Sequence, residues 1–417
     1  METFDVVAGL TTLAALFAWI NHRWVRLPTA IGLMVIALVL SLALVVLGLA
    51  GWNVSAPLVT MVGAVDFDRA LLHGMLGALL FAGALHVNLD DLLEQRWVIG
   101  LLATVGLLVS TLVVGGLTWW GFSLVGIDVP LLHCFLFGAL ISPTDPIAVM
   151  AILHRAGVPH SVETKVVGES LFNDGVAVVV FGVILALASG EHAVSAGGVL
   201  ELLAVEAGGG IVYGLVLGWV AYRMLRSVDN YQVEIFITLA VVTGGYALGH
   251  RLGVSAPLAM VLAGVLIGNH GRAFAMSQRT RERLDAFWEL VDEILNAVLF
   301  VLIGVEVLVL QFGRAYFVAG LLAIPIVLGA RWISVVLPVG VLRFRRAFSP
   351  GAVTILTWGG LRGGISVALA LSLPTGAHRD LLVAVTYMVV SFSIIAQGLT
   401  LGPVAERVRR VGVEREA

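Results

Sequence analysis

The residues able to do chemistry in this chain are acids and hydroxyls set inside apolar runs. The segment VVGESLFNDGVAVVVFGVIL places Glu169, Ser170, Asn173 and Asp174 within two helical turns. At helical spacing Ser170 and Asp174 share one face, and Glu169 and Asn173 share the neighbouring stripe. A charge at the centre of a membrane helix costs about 2.5–3.5 kcal/mol on insertion scales, so each acid must face a cavity or a partner. For Glu169 the simple assignment is a structural ion pair, since two cations, Arg331 and Arg362, also lie within apolar runs. Asp174 is left without an evident permanent partner. A carboxyl in that position can exchange a proton near neutral pH, and once deprotonated it is a hard oxygen ligand for an alkali cation. The hydroxyls of Ser170 and Thr144 and carbonyls of unwound backbone can add neutral oxygens. If such a site opens to each side in turn, competition between proton and sodium for Asp174 suffices for exchange.

Two interrupted segments are placed to build that site. CFLFGALISPTDPIAVMAILH carries Pro143 and Pro146 on either side of Thr144 and Asp145. Two prolines three apart cannot sit in a continuous helix, so the backbone must unwind at mid-membrane. Unpaired backbone at that depth is tolerated only beside a polar cavity or within protein. VTILTWGGLRGGISVALALSLP surrounds Arg362 with Gly359, Gly360, Gly363 and Gly364, and it too can unwind. Each break exposes helix ends carrying about half a charge, which Asp145 and Arg362 are placed to compensate. The plainer alternative, that proline and glycine only kink these helices, leaves the charge at each break unexplained.

The rest of the chain supplies the scaffold. Of 417 residues, 59% are hydrophobic and 12% charged, whereas soluble domains hold about 45–50% and about 25%. Apolar stretches of about 17–25 residues, each long enough to cross the bilayer, alternate with short polar joints. Thirteen spans are expected, with the fifth and twelfth interrupted and the ninth short. The joints on one side of that arrangement hold 18 of the 24 Lys and Arg, among them Arg23, Arg155, Lys165 and Arg343; the other side holds Arg69, Arg251, Arg314 and Arg379. By the positive-inside rule the N-terminus lies outside and the C-terminus in the cytoplasm of a multi-pass cell-membrane protein. The start METFDVVAGL reads as a first span and not as a signal peptide. The single Cys134 excludes an internal disulfide. No nucleic-acid partner, cofactor or soluble regulatory domain is expected.

A repeat is visible in outline. WVRLPTAIGLMVIALVLS with Pro28 resembles LGVSAPLAMVLAGVLIGN with Pro257, and His22-Arg23 and His250-Arg251 precede them. These are the second and ninth spans, seven apart, as are the two broken ones. An odd offset inverts the copy, which is a common plan among secondary transporters.

PTDP in a broken helix, then GESLFND, then GGLRGGIS, in that order, resemble the monovalent cation/proton antiporters of the NhaP type and the related animal sodium/proton exchangers. The similarity runs over nearly the whole chain. It implies an all-α integral membrane fold of thirteen helices, an inverted repeat with two broken, crossing helices, a homodimer in the bilayer, and an elevator-like movement. Approximate scaffold and dimerisation helices would fall in 1–95 and 230–312, core transport helices in 96–190 and 313–406, and a linker in 191–229. Carried over by position, Asp174 binds cation and proton, and Asp145, Thr144 and Ser170 complete the Na+ or Li+ site. Asn173 before Asp174 resembles the version linked to electroneutral exchange. Glu169 pairs with Arg331, and Arg362 matches the arginine of the glycine-rich helix. One position departs: in LLFAGALHVNLDDL, Ala82 stands where several relatives carry an acid. His86, four residues on, is a possible replacement.

Other acids are expected to do less. Glu201, Glu206 and Glu234 lie near helix ends and should reach water, and Glu306 should be solvated near an exit. Asp292 and Glu293 open the tenth span, after an amphipathic lead-in, RTRERLDAFWELVDE. A channel would need a continuous polar stripe or a carbonyl filter, and a hydrolase a nucleophile with its base or metal-ligand spacing; neither pattern is present. Potassium/proton exchange is the nearest rival, because all alkali cations want hard oxygens.

Overall fold

In the computed structural model, the described residues are 3–50, 70–189, 196–309, 313–344, 348–349, 351–376 and 378–416. Arg69, Arg345 and Arg346 of the charge count and the start of the 191–229 segment lie outside them. Every regular element among the described residues is a helix. In chain order these are α1 (Phe4–Val25), α2 (Thr29–Gly48), α3 (Leu76–Leu85) and α4 (Leu89–Leu124), then α5 (Leu131–Ile141) and α6 (Ile147–Ala156). There follow α7 (His160–Ala188), α8 (Glu201–Leu225), α9 (Tyr231–Arg251), α10 (Ala256–Gly271) and α11 (Gln278–Glu306). The last are α12 (Arg314–Leu342), α13 (Ala352–Trp358), α14 (Gly364–Leu371) and α15 (Arg379–Arg410). Eight of them are long and apolar enough to cross a membrane.

Sequence explains the interruptions. Between α5 and α6, Pro143 and Pro146 remove two backbone donors, and Ser142–Pro146 runs without helical structure. Between α13 and α14 the chain leaves the helix at Gly359 and resumes at Gly364.

Close helix approach depends on small residues, as in other membrane interiors. Gly210, Gly214 and Gly218 form a stripe on α8 that meets α10, where a Cβ on Gly214 would sit 2.7 Å from the Ala259 Cα. The buried side chains form two apolar clusters. One joins α1 and α2 to α5–α7, the end of α11 and α12–α15; the other gathers α3 with α8–α10 and the first half of α11.

Two acids expected in water are buried instead. Glu234 is fully buried at the start of α9, where its Oε1 accepts the Thr280 hydroxyl at 3.1 Å. The amphipathic first half of α11 covers it, with Trp288 donating to the Thr238 hydroxyl at 3.0 Å. Glu306, at the end of α11, is 8% exposed. Position near a helix end did not predict solvation, because packed neighbours cover both residues.

Candidate ion-binding site

The two breaks lie against each other. The Asp145 amide donates to the Leu361 carbonyl at 2.7 Å, joining one unwound segment to the other. Arg362 is buried, and its guanidinium donates to the carbonyls of Ser142 and, at 3.0 Å, Pro143. These carbonyls end α5 without partners of their own, so the cation satisfies them and offsets the negative helix end. In the reverse direction, the Asp145 carboxylate abuts Gly363, the residue that opens α14. Each break thus supplies the charge suited to the helix end of the other.

Gly363 has φ −123°, a conformation open to any residue. Close approach is what requires glycine here: an added Cβ would lie 2.6 Å from Asp145 Oδ2 and 2.7 Å from Asp145 Cβ. Gly363→Ala must therefore push the breaks apart, and overpacking of this kind costs about 1–3 kcal/mol. The expected result is a lower melting temperature in detergent together with loss of most transport. Wild-type melting would show that the contact is looser than the geometry implies.

Asn173 and Ser170, both on α7, fix the first break. The Asn173 amide nitrogen donates to Thr144 Oγ1 at 2.9 Å, and its oxygen accepts the Thr144 backbone N–H at 3.3 Å. Thr144 Oγ1 and Ser170 Oγ share a hydrogen bond of 2.9 Å. Glu169 is 1% exposed and pairs with Arg331 of α12 through both carboxylate oxygens, one at 3.0 Å. Arg331 also donates to the Leu356 carbonyl through Nε at 3.2 Å and Nη2 at 2.8 Å, which neutralises the end of α13. The pair engages both carboxylate oxygens of Glu169. Asp174 is 6% exposed, and among the described residues it has no hydrogen-bond or ion-pair partner.

Asp174, Asp145 and Thr144 open onto one cavity. Sequence reasoning missed its other polar wall, where Asp292 and Asn296 of α11 and Ser366 of α14 also line it. The signal was present in DEILN, where Asp292 and Asn296 stand four apart on one helical face. From α3 the lining is Leu76, Leu79, Leu80 and Gly83. Ala82 packs within the apolar cluster of α3 and α8–α11 instead. His86 lies in a separate crevice, its Nδ1 2.8 Å from the Ala82 carbonyl and its Nε2 3.9 Å from Asp285. Among the described residues, none lining the Asp174 cavity is Lys, Arg or His, so a wall carrying three carboxyls attracts cations.

The profile of the sodium/hydrogen exchanger transmembrane family matches residues 11–407. The chain belongs to that family. It is 50% identical to the Na+/H+ antiporter NhaP of Pseudomonas aeruginosa, over 97% of this chain and 96% of that protein. It is 35% identical to the Na+/H+ antiporter NhaH of Halobacillus dabanensis, over 88% and 91%. The fold of this family member superposes on the sodium/proton antiporter MjNhaP1 of Methanocaldococcus jannaschii with TM-score 0.77, covering 98% and 99% of the two chains at 20% identity.

A cluster of titrating groups marks one end of α7. His160 is exposed and precedes Lys165, in the joint ahead of the membrane-crossing part of the helix. Its Nε2 lies 3.0 Å from Asp91 of α4 and its Nδ1 3.6 Å from Glu163; His154 of α6 reaches Glu163 at 3.8 Å. The hydrogen bond to Asp91 holds the His160 imidazole above its ordinary pKa. Because the folded value exceeds the unfolded one, the stabilisation is full below about pH 6.5 and fades as pH rises through the folded value. The melting advantage of wild type over His160→Gln should therefore be larger at pH 6 than at pH 9. A difference independent of pH would count against this linkage.

Proposed function

We propose that this protein is a secondary antiporter that exchanges sodium, or lithium, for protons by alternating access, with both substrates competing for Asp174. The observation that carries the reading is a buried carboxyl without a described partner, open to a cavity whose described residues include acids and hydroxyls and no Lys, Arg or His. Asp145, Thr144 and Ser170 supply further oxygens for the cation. Sodium is preferred over potassium because the relatives above are named Na+/H+ antiporters.

The cavity receives wall residues from each of the blocks 1–95, 96–190, 230–312 and 313–406. A site at that boundary favours movement of the core blocks past a scaffold, in the manner of an elevator. Counting each broken pair, α5 with α6 and α13 with α14, as one passage gives thirteen crossings and two crossing breaks. The N-terminus is then outside and the C-terminus inside the cell membrane. The inverted repeat and the homodimer belong to the same reading. Pro28 and Pro257, the residues that suggest the repeat, both stand at helix starts, those of α2 and α10.

One-for-one exchange is favoured by Asn173, whose amide is committed to Thr144 and adds no second charge beside Asp174. The test uses proteoliposomes with an imposed pH gradient. Addition of sodium should dissipate the gradient at a rate indifferent to a clamped membrane potential. Dissipation by potassium alone would overturn the substrate assignment, and dependence on potential would overturn electroneutrality.

A further inference from the structure

The α11 and α14 side of the cavity carries oxygens that the Asp174 site does not use. Asn296 is 5% exposed, and its Nδ2 donates to the Asp292 backbone carbonyl at 2.8 Å. That bond fixes the amide, since turning it over would set its oxygen against another acceptor. Asn296 Oδ1 is buried and has no hydrogen-bond partner among the described residues. Ser366 is 1% exposed, and its Oγ is in the same condition. Both residues line the cavity, as does the carboxyl of Asp292. A buried polar atom left unpaired is destabilising, so two such oxygens on one wall call for a ligand.

The chemistry of that ligand follows from what surrounds it. Every group in question is an oxygen acceptor, one of them is a carboxylate, and the described residues of the lining include no Lys, Arg or His. An anion finds no donor there, whereas a small hard cation finds an amide oxygen, a hydroxyl and a charge. Asp292 and Asn296 also line a second cavity, between α1, α2 and α11. They therefore stand where two cavities meet, and α3 contributes only Leu and Gly to the first.

We propose that Asn296 Oδ1, Ser366 Oγ and the Asp292 carboxylate form a second alkali-cation subsite, in which sodium waits before it reaches Asp174. This rests on the antiport reading and extends it from one cation position to two along the path. The subsite concentrates sodium at the entrance to the cavity, so its loss acts on the sodium requirement.

Proteoliposome exchange at graded sodium concentrations tests the subsite. The double variant Asn296→Ala with Ser366→Ala should raise the half-saturating sodium concentration about tenfold. Asp292→Asn, which keeps shape and removes charge, should raise it as well. Where the double variant elutes as aggregate, Ser366→Ala alone should raise it about threefold. Wild-type half-saturation in a folded double variant, or in Ser366→Ala where only that folds, overturns the subsite. Exchange that survives Asp174→Asn would overturn the antiport reading itself. Loss of exchange in Asp174→Asn combined with unaltered half-saturation in the double variant would overturn the subsite alone.

Discussion

Proteoliposomes holding Asp174→Asn are expected to keep an imposed pH gradient when sodium is added, as empty vesicles do. The substitution preserves side-chain size and one acceptor oxygen. It removes the negative charge and the oxygen that could take up a proton, and the antiport proposed above needs both at the same atoms. Few substitutions separate function from folding so cleanly. Asp174 has no hydrogen bond or ion pair among the described residues, so Asn breaks nothing that holds the fold. The clamp on the first break runs through Asn173, Ser170 and Thr144 and stays intact. Melting temperature should therefore stay close to wild type while exchange disappears. Sodium-driven dissipation by a folded Asp174→Asn protein would sink the assignment.

Much of this site was legible in the sequence because its physics is severe. Two prolines three apart break any helix, and an acid in an apolar run needs a cavity or a partner; both rules hold without knowledge of the neighbours. They located the break at Pro143–Pro146 and marked Glu169 and Asp174. The expectation that Glu169 pairs with a buried cation needed only the count of such cations, and the pair with Arg331 is present. What stayed hidden depends on which face of a helix meets which neighbour. Asp292 and Asn296 sit in an amphipathic stretch whose charges look solvated, and only the packing of α11 turns that face to the cavity. Glu234 was misjudged for the same reason, since α11 folds over it. Ala82 and His86 show the limit of reasoning by alignment. The wall of α3 that meets the cavity passes through Leu79 and Gly83, and His86 lies in another crevice. The division of labour between the two arginines was also hidden. Sequence placed Arg362 at a break and Arg331 only within an apolar run, and the contacts show that Arg362 closes the end of α5 and Arg331 the end of α13.

That division makes Arg331→Ala the most destabilising single change expected here. Glu169 is 1% exposed, and Arg331 meets both of its carboxylate oxygens. Removing the arginine leaves a buried carboxylate uncompensated, which typically costs about 3–5 kcal/mol. It also frees the Leu356 carbonyl, which receives two bonds from the same guanidinium at the end of α13. The loss should appear as a large drop in melting temperature in detergent and poor recovery of folded protein. Arg331→Lys should recover only part of it, because an ammonium cannot meet both carboxylate oxygens and the carbonyl in one plane. Glu169→Gln leaves the buried Arg331 without its counter-charge, but it should cost less than Arg331→Ala, since the guanidinium keeps both bonds to the Leu356 carbonyl and the amide oxygen can still accept from it. Combining Glu169→Gln with Arg331→Ala should then fall well short of the sum of the two losses, as partners in one buried pair do. Additive losses across that cycle would mean that the two residues stabilise the fold separately, and Glu169 would return as a candidate for the transported ions.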